Sequence, residues 1–250
     1  MVNLLWTGGW DSTFRLLQLA QEGAVIQPHY IRDPHRDSLK KEIQAMNEIR
    51  HRVNERFPDC FIRDTKIIDQ SDIIVCQYLF NAHKNLLSRG WIGSQYIYTS
   101  SYILQNEIKT MELSIELLSD IRHSVMPCLK NTEINKEGNR VISKNADKDL
   151  FCLFRQCSFP VLALTKLDMY EIAKECGILD ILNLTWFCHQ PLFRMPCGSC
   201  NPCMSTLEDG LKYRFGIIAL ARYRMKKLLI SQPKIHKTLR KMKYGSSDYS

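Results

Sequence analysis

The chain has 250 residues, room for one large or two small domains, and 45% of them are apolar, which suits a full core and excludes a disordered chain. No uncharged apolar run approaches the ~18 residues of a membrane span. No basic segment precedes the first apolar residues, so a secretory leader is not expected and the cytoplasm is the expected location. The formal charge of +8 is uneven: residues 222–243 hold nine Lys/Arg and no acid, and without them 25 basic residues face 26 acidic ones. Such a tail can attract nucleic acid or another polyanion. The alternative is a solvated terminal helix whose Leu228, Leu229 and Ile235 pack on the body or on a partner subunit.

Taken in chain order, residues 2–6 read as a buried strand and residues 12–21 as a helix with Phe14, Leu16, Leu17 and Leu19 on its apolar side. Residues 24–31 read as a second strand. Residues 38–57 form a long polar helix with Leu39, Ile43, Met46, Ile49 and Val53 at 3–4 spacing. A third strand is expected over 61–68, helical or mixed structure over 73–87, a strand over 96–101 and a helix over 103–118. The polar stretch 131–150 reads as a hairpin or a mobile insert. A strand over 161–164 then leads through an N-cap, Thr165 or a nearby polar residue, into a helix over 167–176, closed by Gly177. Strands alternating with helices imply βαβ units, hence an α/β fold with a mostly parallel sheet and helices on both faces.

The first strand and first helix are joined by Thr7-Gly8-Gly9-Trp10-Asp11-Ser12-Thr13. Glycines without a Cβ let backbone N–H groups approach an anion closely. The helix aims its positive end at the same place, and Thr7, Ser12 and Thr13 add hydroxyls. The carboxyl end of a strand is where α/β sheets bind ligands, so the loop reads as a phosphate cradle. It is neither a Walker loop nor GxGxxG. A carboxylate beside phosphates needs a role, and Asp11 can meet Mg²⁺ or hold the loop's own N–H groups. A plain strand–turn–helix junction with an Asp/Ser cap is the bland alternative.

Six of the ten cysteines are scattered and read as small core side chains. The other four form C-x8-C-x2-C-x2-C: Cys188, Cys197, Cys200 and Cys203. In a reducing compartment such a cluster points to metal. Four thiolates complete a closed tetrahedral Zn²⁺ shell with a structural role; an iron–sulfur cluster is the rival, and His189 a competing ligand.

The loop resembles the SGGxDS signature of the PP-loop ATP pyrophosphatases, with Thr7 in place of serine. Loop and cysteines together resemble the QueC family, 7-cyano-7-deazaguanine synthase. The shared stretches are the N-terminal loop, then Leu164-Thr165-Lys166, then Leu184-Thr185-Trp186-Phe187-Cys188, then Cys197-Gly198-Ser199-Cys200-Asn201-Pro202-Cys203. The resemblance implies a Rossmann-like sheet of the adenine nucleotide α-hydrolase (HUP) type. It implies an ATP-dependent ligase in which Thr7, Gly8, Gly9, Asp11 and Ser12 grip the β,γ-phosphates, with Asp11 and Ser12 as the catalytic candidates. ATP with Mg²⁺ would adenylate a small carboxylate, 7-carboxy-7-deazaguanine or a relative, and ammonia would complete an amide and then a nitrile. A homodimer is also implied. Two stretches depart from the family: residues 93–102 lack its Tyr-Ser-Gly-Tyr-Pro-Asp-Cys-like segment, and Met204-Ser205-Thr206 follow the last cysteine where an arginine is expected. A PP-loop enzyme acting on tRNA or another macromolecule, and a nucleotide-binding protein without turnover, are the alternatives. The expected layout is a nucleotide-binding domain over 1–184, a zinc lobe over 185–221 and a basic tail over 222–250.

Overall fold

The computed structural model describes residues 1–33, 37–90, 92–117 and 128–231. By internal contacts the chain divides into two units, Met1–Trp186 and Phe187–Ser250. The first is a mixed α/β unit built on a mostly parallel sheet. Its central strand β1 (Val2–Leu5) pairs in parallel with β2 (Val25–Arg32) on one side and β5 (Met111–Glu112) on the other. β2 carries two short parallel partners, β3 (Phe61–Ile62) at its start and β4 (Lys66–Asp69) farther along. Beyond β5 lie β8 (Cys157–Ser158), parallel to it, then β7 (Arg140–Ile142), antiparallel to β8, and β6 (Thr132–Ile134), antiparallel to β7.

Two groups of helices flank this sheet. α1 (Trp10–Gln21) packs with α6 (Lys166–Glu175) and α7 (Leu179–Leu182), and α2 (Leu39–Arg56) packs with α7. α3 (Gln77–Arg89), α4 (Gln95–Gln105) and α5 (Lys148–Phe154) pack on one another around Leu79, Tyr96, Ile103, Phe154 and Phe159. α6 is punctuated as its sequence predicts. Thr165 and Asp168 form a reciprocal capping box. At the far end Gly177 adopts φ +68°, and its N–H and that of Ile178 close onto Lys174 and Ala173.

Several expectations are corrected. Residues 96–101 are helical, inside α4. Their aromatic and β-branched side chains read as a strand, but the segment is buried on nearly every side, and its hydroxyls satisfy the helix and its neighbours: Thr99 donates to Gln95 O, Ser100 to Leu153 O. The helix expected over 103–118 ends at Gln105, and β5 follows; residue 118 lies outside the described residues. Residues 161–164 are successive turns, with Leu162 N on Phe159 O and Leu164 N on Val161 O, and the strand lies upstream at β8. The single strand expected over 61–68 is two. The polar stretch 131–150 contributes the β6–β7 hairpin to the sheet and the start of α5, where Arg89 grips Asp147 and Asp149. In the second unit, α8 (Asn201–Glu208) and α9 (Ile217–Ser231) flank a short 3₁₀ turn. Leu228 and Leu229 of α9 are exposed in the single chain, while Ile235 and the rest of 232–250 lie outside the described residues. No described helix is long and apolar enough to cross a membrane.

His29 sits inside this sheet, 1% exposed on β2. Asn3 Oδ1, an acceptor, lies 3.1 Å from Nε2, so Nε2 carries the proton, and Nδ1 accepts from the Tyr102 hydroxyl at 2.8 Å. Burial, reinforced by the charge of Lys66, pulls the imidazole down to about 4. A folded-state value below the unfolded one, 6.5, means the unfolded chain takes up the proton first. This contribution to stability is complete above pH 6.5 and is lost as pH falls from there through 4. Denaturant titrations across that window should show stability falling with pH, and His29→Gln should flatten the slope. An unchanged slope in the variant would show that His29 does not titrate on unfolding.

Candidate functional sites: a glycine loop and a four-cysteine centre

The chain runs from β1 outward to β2, β3 and β4, then returns to place β5 on the opposite side of β1. The strand order therefore reverses between β1 and β5. In open α/β sheets ligands bind at the carboxyl ends of the strands at such a point. Residues 7–12 leave β1 there and open α1. Gly8 has φ +68°, and a Cβ on it would stand 2.8 Å from Met46 Cγ and 3.2 Å from the Glu42 carbonyl, both on α2. Only glycine fits that backbone and that gap. Gly9 is the N-cap residue of α1, with φ −82° and ψ 175°, and, having no side chain, leaves the helix end without a side-chain cap. The N–H groups of Gly8, Gly9 and Ser12 take no partner among the described residues.

The loop is braced from within. Ser12 Oγ accepts from Thr7 N at 3.3 Å and lies 3.3 Å from Thr7 Oγ1. Thr13 is fully buried and its hydroxyl accepts from the Trp6 indole at 3.0 Å, so it ties β1 to α1 rather than lining the loop. Asp11 lies in the first turn of α1, where a carboxylate complements the helix dipole. The structure thus brings Thr7, Gly8, Gly9, Asp11 and Ser12 together and turns Thr13 away.

Two features escape sequence reasoning. The backbone N–H of Trp186 donates to the Gly8 carbonyl at 3.0 Å, and the Lys41 ammonium lies 5.5 Å from the centre of the Trp186 ring. Past β5, Ser114 Oγ is buried with no hydrogen-bond partner among the described residues, and buried Glu116 pairs with Lys166 in the first turn of α6. The motif Leu184-Thr185-Trp186 is a sequence marker for the first of these. Lys166, in the stretch Leu164-Thr165-Lys166, marks one half of the second, and nothing in the sequence marks Ser114 or Glu116.

In the second unit the four cysteines are buried, and their sulfurs lie within 4.8 Å of one another. Cys197 and Cys203 are 3.9 Å apart, Cys188 and Cys200 4.0 Å. A tetrahedral ion with bonds of about 2.3 Å sets its sulfurs about 3.8 Å apart. The site fits one ion such as zinc. Backbone N–H groups of Cys197, Ser199 and Cys200 point at sulfurs at 3.2 to 3.4 Å, which favours thiolates. The hydrogen bond between Cys188 and Cys200 holds Cys200 far below the ordinary thiol range and pushes Cys188 up to about 12. Gly198, with φ +74°, lets the turn lie against α9: a Cβ there would stand 2.0 Å from the Ala219 carbonyl. His189 is exposed and stands outside the cluster.

No family model matches the chain, and no curated protein sequence matches it. The purified chain should carry one zinc ion, and Cys200→Ser should lower metal content and unfolding temperature together, as should chelation of the wild type. A stable, metal-replete Cys200→Ser protein would remove Cys200 from the shell.

Proposed function

We propose that the chain is a QueC-like, ATP-dependent ligase whose first unit is a Rossmann-like fold of the HUP type. The observation that carries this reading is the glycine loop at the carboxyl end of β1, beside the reversal of strand order, where N–H groups without a partner among the described residues lie next to the N-terminus of α1. That arrangement suits a polyphosphate. ATP enters as its magnesium complex, the metal neutralising phosphate charge. Residues 7–12 hold the β,γ-phosphates and so leave the α-phosphorus open to attack.

An oxygen of the acceptor carboxylate attacks the α-phosphorus, the bond to the bridging oxygen breaks, and pyrophosphate leaves. Ammonia then adds to the acyl carbon of the acyl-adenylate; AMP departs, a proton is lost and an amide remains. The amide oxygen then attacks the α-phosphorus of a second ATP and pyrophosphate leaves; elimination of AMP with loss of the two N–H protons gives a nitrile. The work of the chain is placement and electrostatics: N–H donors and the helix dipole stabilise charge building on the leaving pyrophosphate. Four cysteine thiolates would fill the shell of a zinc ion and leave no open coordination position, so zinc would have a structural role there. The acceptor is 7-carboxy-7-deazaguanine or a related carboxylate.

One observation favours a second reading, a macromolecular acceptor. α9 carries no acid, presents Arg224 and Lys227 to solvent, and exposes Ile217, Ile218, Met225 and Leu228. An acceptor RNA held by such cations would dissociate steeply with salt.

Pyrophosphate release from ATP and Mg²⁺ should depend on 7-carboxy-7-deazaguanine and ammonium, with AMP, amide and nitrile detected by mass. Asp11→Ala should abolish release while leaving fold and zinc content intact. Wild-type release by that variant would refute the assignment of Asp11. No release by zinc-loaded wild type that still binds ATP would move the search to tRNA, protein or another carboxylate.

A further inference from the structure

Gly8 and Gly9 share one peptide plane, and the way that plane faces decides whether the loop attracts or repels an anion. In a trans peptide the carbonyl and the N–H point to opposite sides. The Gly8 carbonyl accepts from Trp186 N–H at 3.0 Å. The Gly9 N–H therefore faces away from Trp186, and it has no partner among the described residues. Two glycines resist a turn of the plane between them less than any other pair. Left to the sequence of the loop alone, the plane is free to present its carbonyl outward, and an outward carbonyl repels phosphate.

Trp186 is itself held. Thr185 is 3% exposed and its hydroxyl donates to the Leu182 carbonyl at 2.8 Å. The Lys41 ammonium stands over the indole. Lys41 belongs to α2, the same helix that closes on Gly8 through Met46 and the Glu42 carbonyl. α2 and residue 186 thus fix Gly8 from two sides, one by steric closure and the other by a hydrogen bond. Trp186 O also lies 4.0 Å from the place a Cβ on Gly9 would take, so Trp186 borders both glycines.

We infer that Trp186 is a positioning residue for the loop: its backbone N–H locks the 8–9 peptide with the Gly9 N–H outward, and so makes the turn a cradle for a pyrophosphate group. This rests on the reading of the loop as a phosphate site. The group that acts is a main-chain donor, so Trp186→Phe should preserve it and Trp186→Pro should delete it. Inorganic pyrophosphate with Mg²⁺, titrated calorimetrically into the full chain, is the probe. Trp186→Phe should bind as the wild type does, and Trp186→Pro about tenfold or more weakly, the loss expected when one donor of a charge-assisted set turns away. Unfolding temperature and zinc content report whether Trp186→Pro has folded.

Amide exchange in the wild type gives an arm that needs no variant. The Trp186 N–H should be protected with or without ligand, and the Gly9 N–H should gain protection only when pyrophosphate is added. Undiminished binding by folded Trp186→Pro, or a Trp186 amide that exchanges as freely as that of Gly9, overturns the inference while leaving the phosphate site standing. A wild type that binds neither pyrophosphate nor ATP overturns the phosphate reading, and this inference with it.

Discussion

The first unit depends on a gap too small for a methyl group. Gly8 leaves β1 with φ +68°, and Met46 and the Glu42 carbonyl occupy the volume a side chain would need. That closeness brings α2 against the loop, and α2 carries further consequences. Glu42, on the same turn of helix, is buried and accepts from the Tyr30 and Ser38 hydroxyls, so it anchors the helix to β2. A larger residue at position 8 would have to push α2 outward and strain these bonds. The loop is therefore shaped from outside as much as by its own sequence.

The polar groups buried in the first unit follow a pattern. Arg15 of α1 makes a two-pronged contact with Glu112 of β5, at 2.8 and 3.0 Å. Glu116, just past β5, pairs with Lys166 of α6. Buried ion pairs contribute little net stability, because desolvation offsets their attraction, but breaking one partner is costly. Their effect is geometric. Arg15 joins the helix that opens at the glycine loop to the strand across the reversal point, so the two walls of that crevice cannot drift independently. Arg15 keeps this geometry through its planar fork, which a lysine could not reproduce.

The sequence makes some of this plain and hides the rest for physical reasons. The β1–loop–α1 junction is legible because an apolar run stops at Gly8-Gly9 and hydroxyl residues follow. The ends of α6 are legible because Thr165, Asp168 and Gly177 act within one turn of themselves. α4 is not legible: a helix buried on nearly all sides has no polar face, so no 3.6-residue period survives, and aromatic and β-branched residues then read as a strand. β8 and the turns after it are misread for a related reason, since Val161-Leu162-Ala163-Leu164 is apolar enough for a strand while the pairing partner of β5 lies before Pro160. The four cysteines show in their spacing. The contribution of Trp186 does not, because it is made by a backbone N–H and depends on a contact far away in the chain.

The second unit poses a different problem of stability. Four of its eight buried apolar side chains, among the described residues, are the cysteines; the others are Leu207, Leu211, Phe215 and Ala219. A core that small does not hold a unit together by apolar burial. Two ties from α9 reach the cysteine turn: Lys226 donates to the Ser199 carbonyl, and Arg222 reaches Ser199 Oγ at 3.2 Å. Both cations come from α9 and meet the backbone or hydroxyl of the residue between two ligands. Without a cation among them, sulfurs present as thiolates would repel one another or take up protons, which would loosen the turn on which α9 rests. The cations of α9 thus serve two ends. Arg222 and Lys226 face inward to the turn, whereas Arg224 and Lys227 face outward, with Lys227 held by Glu208 at 3.1 Å. The positive charge of this helix is in part structural, and only the outward remainder is available to a partner.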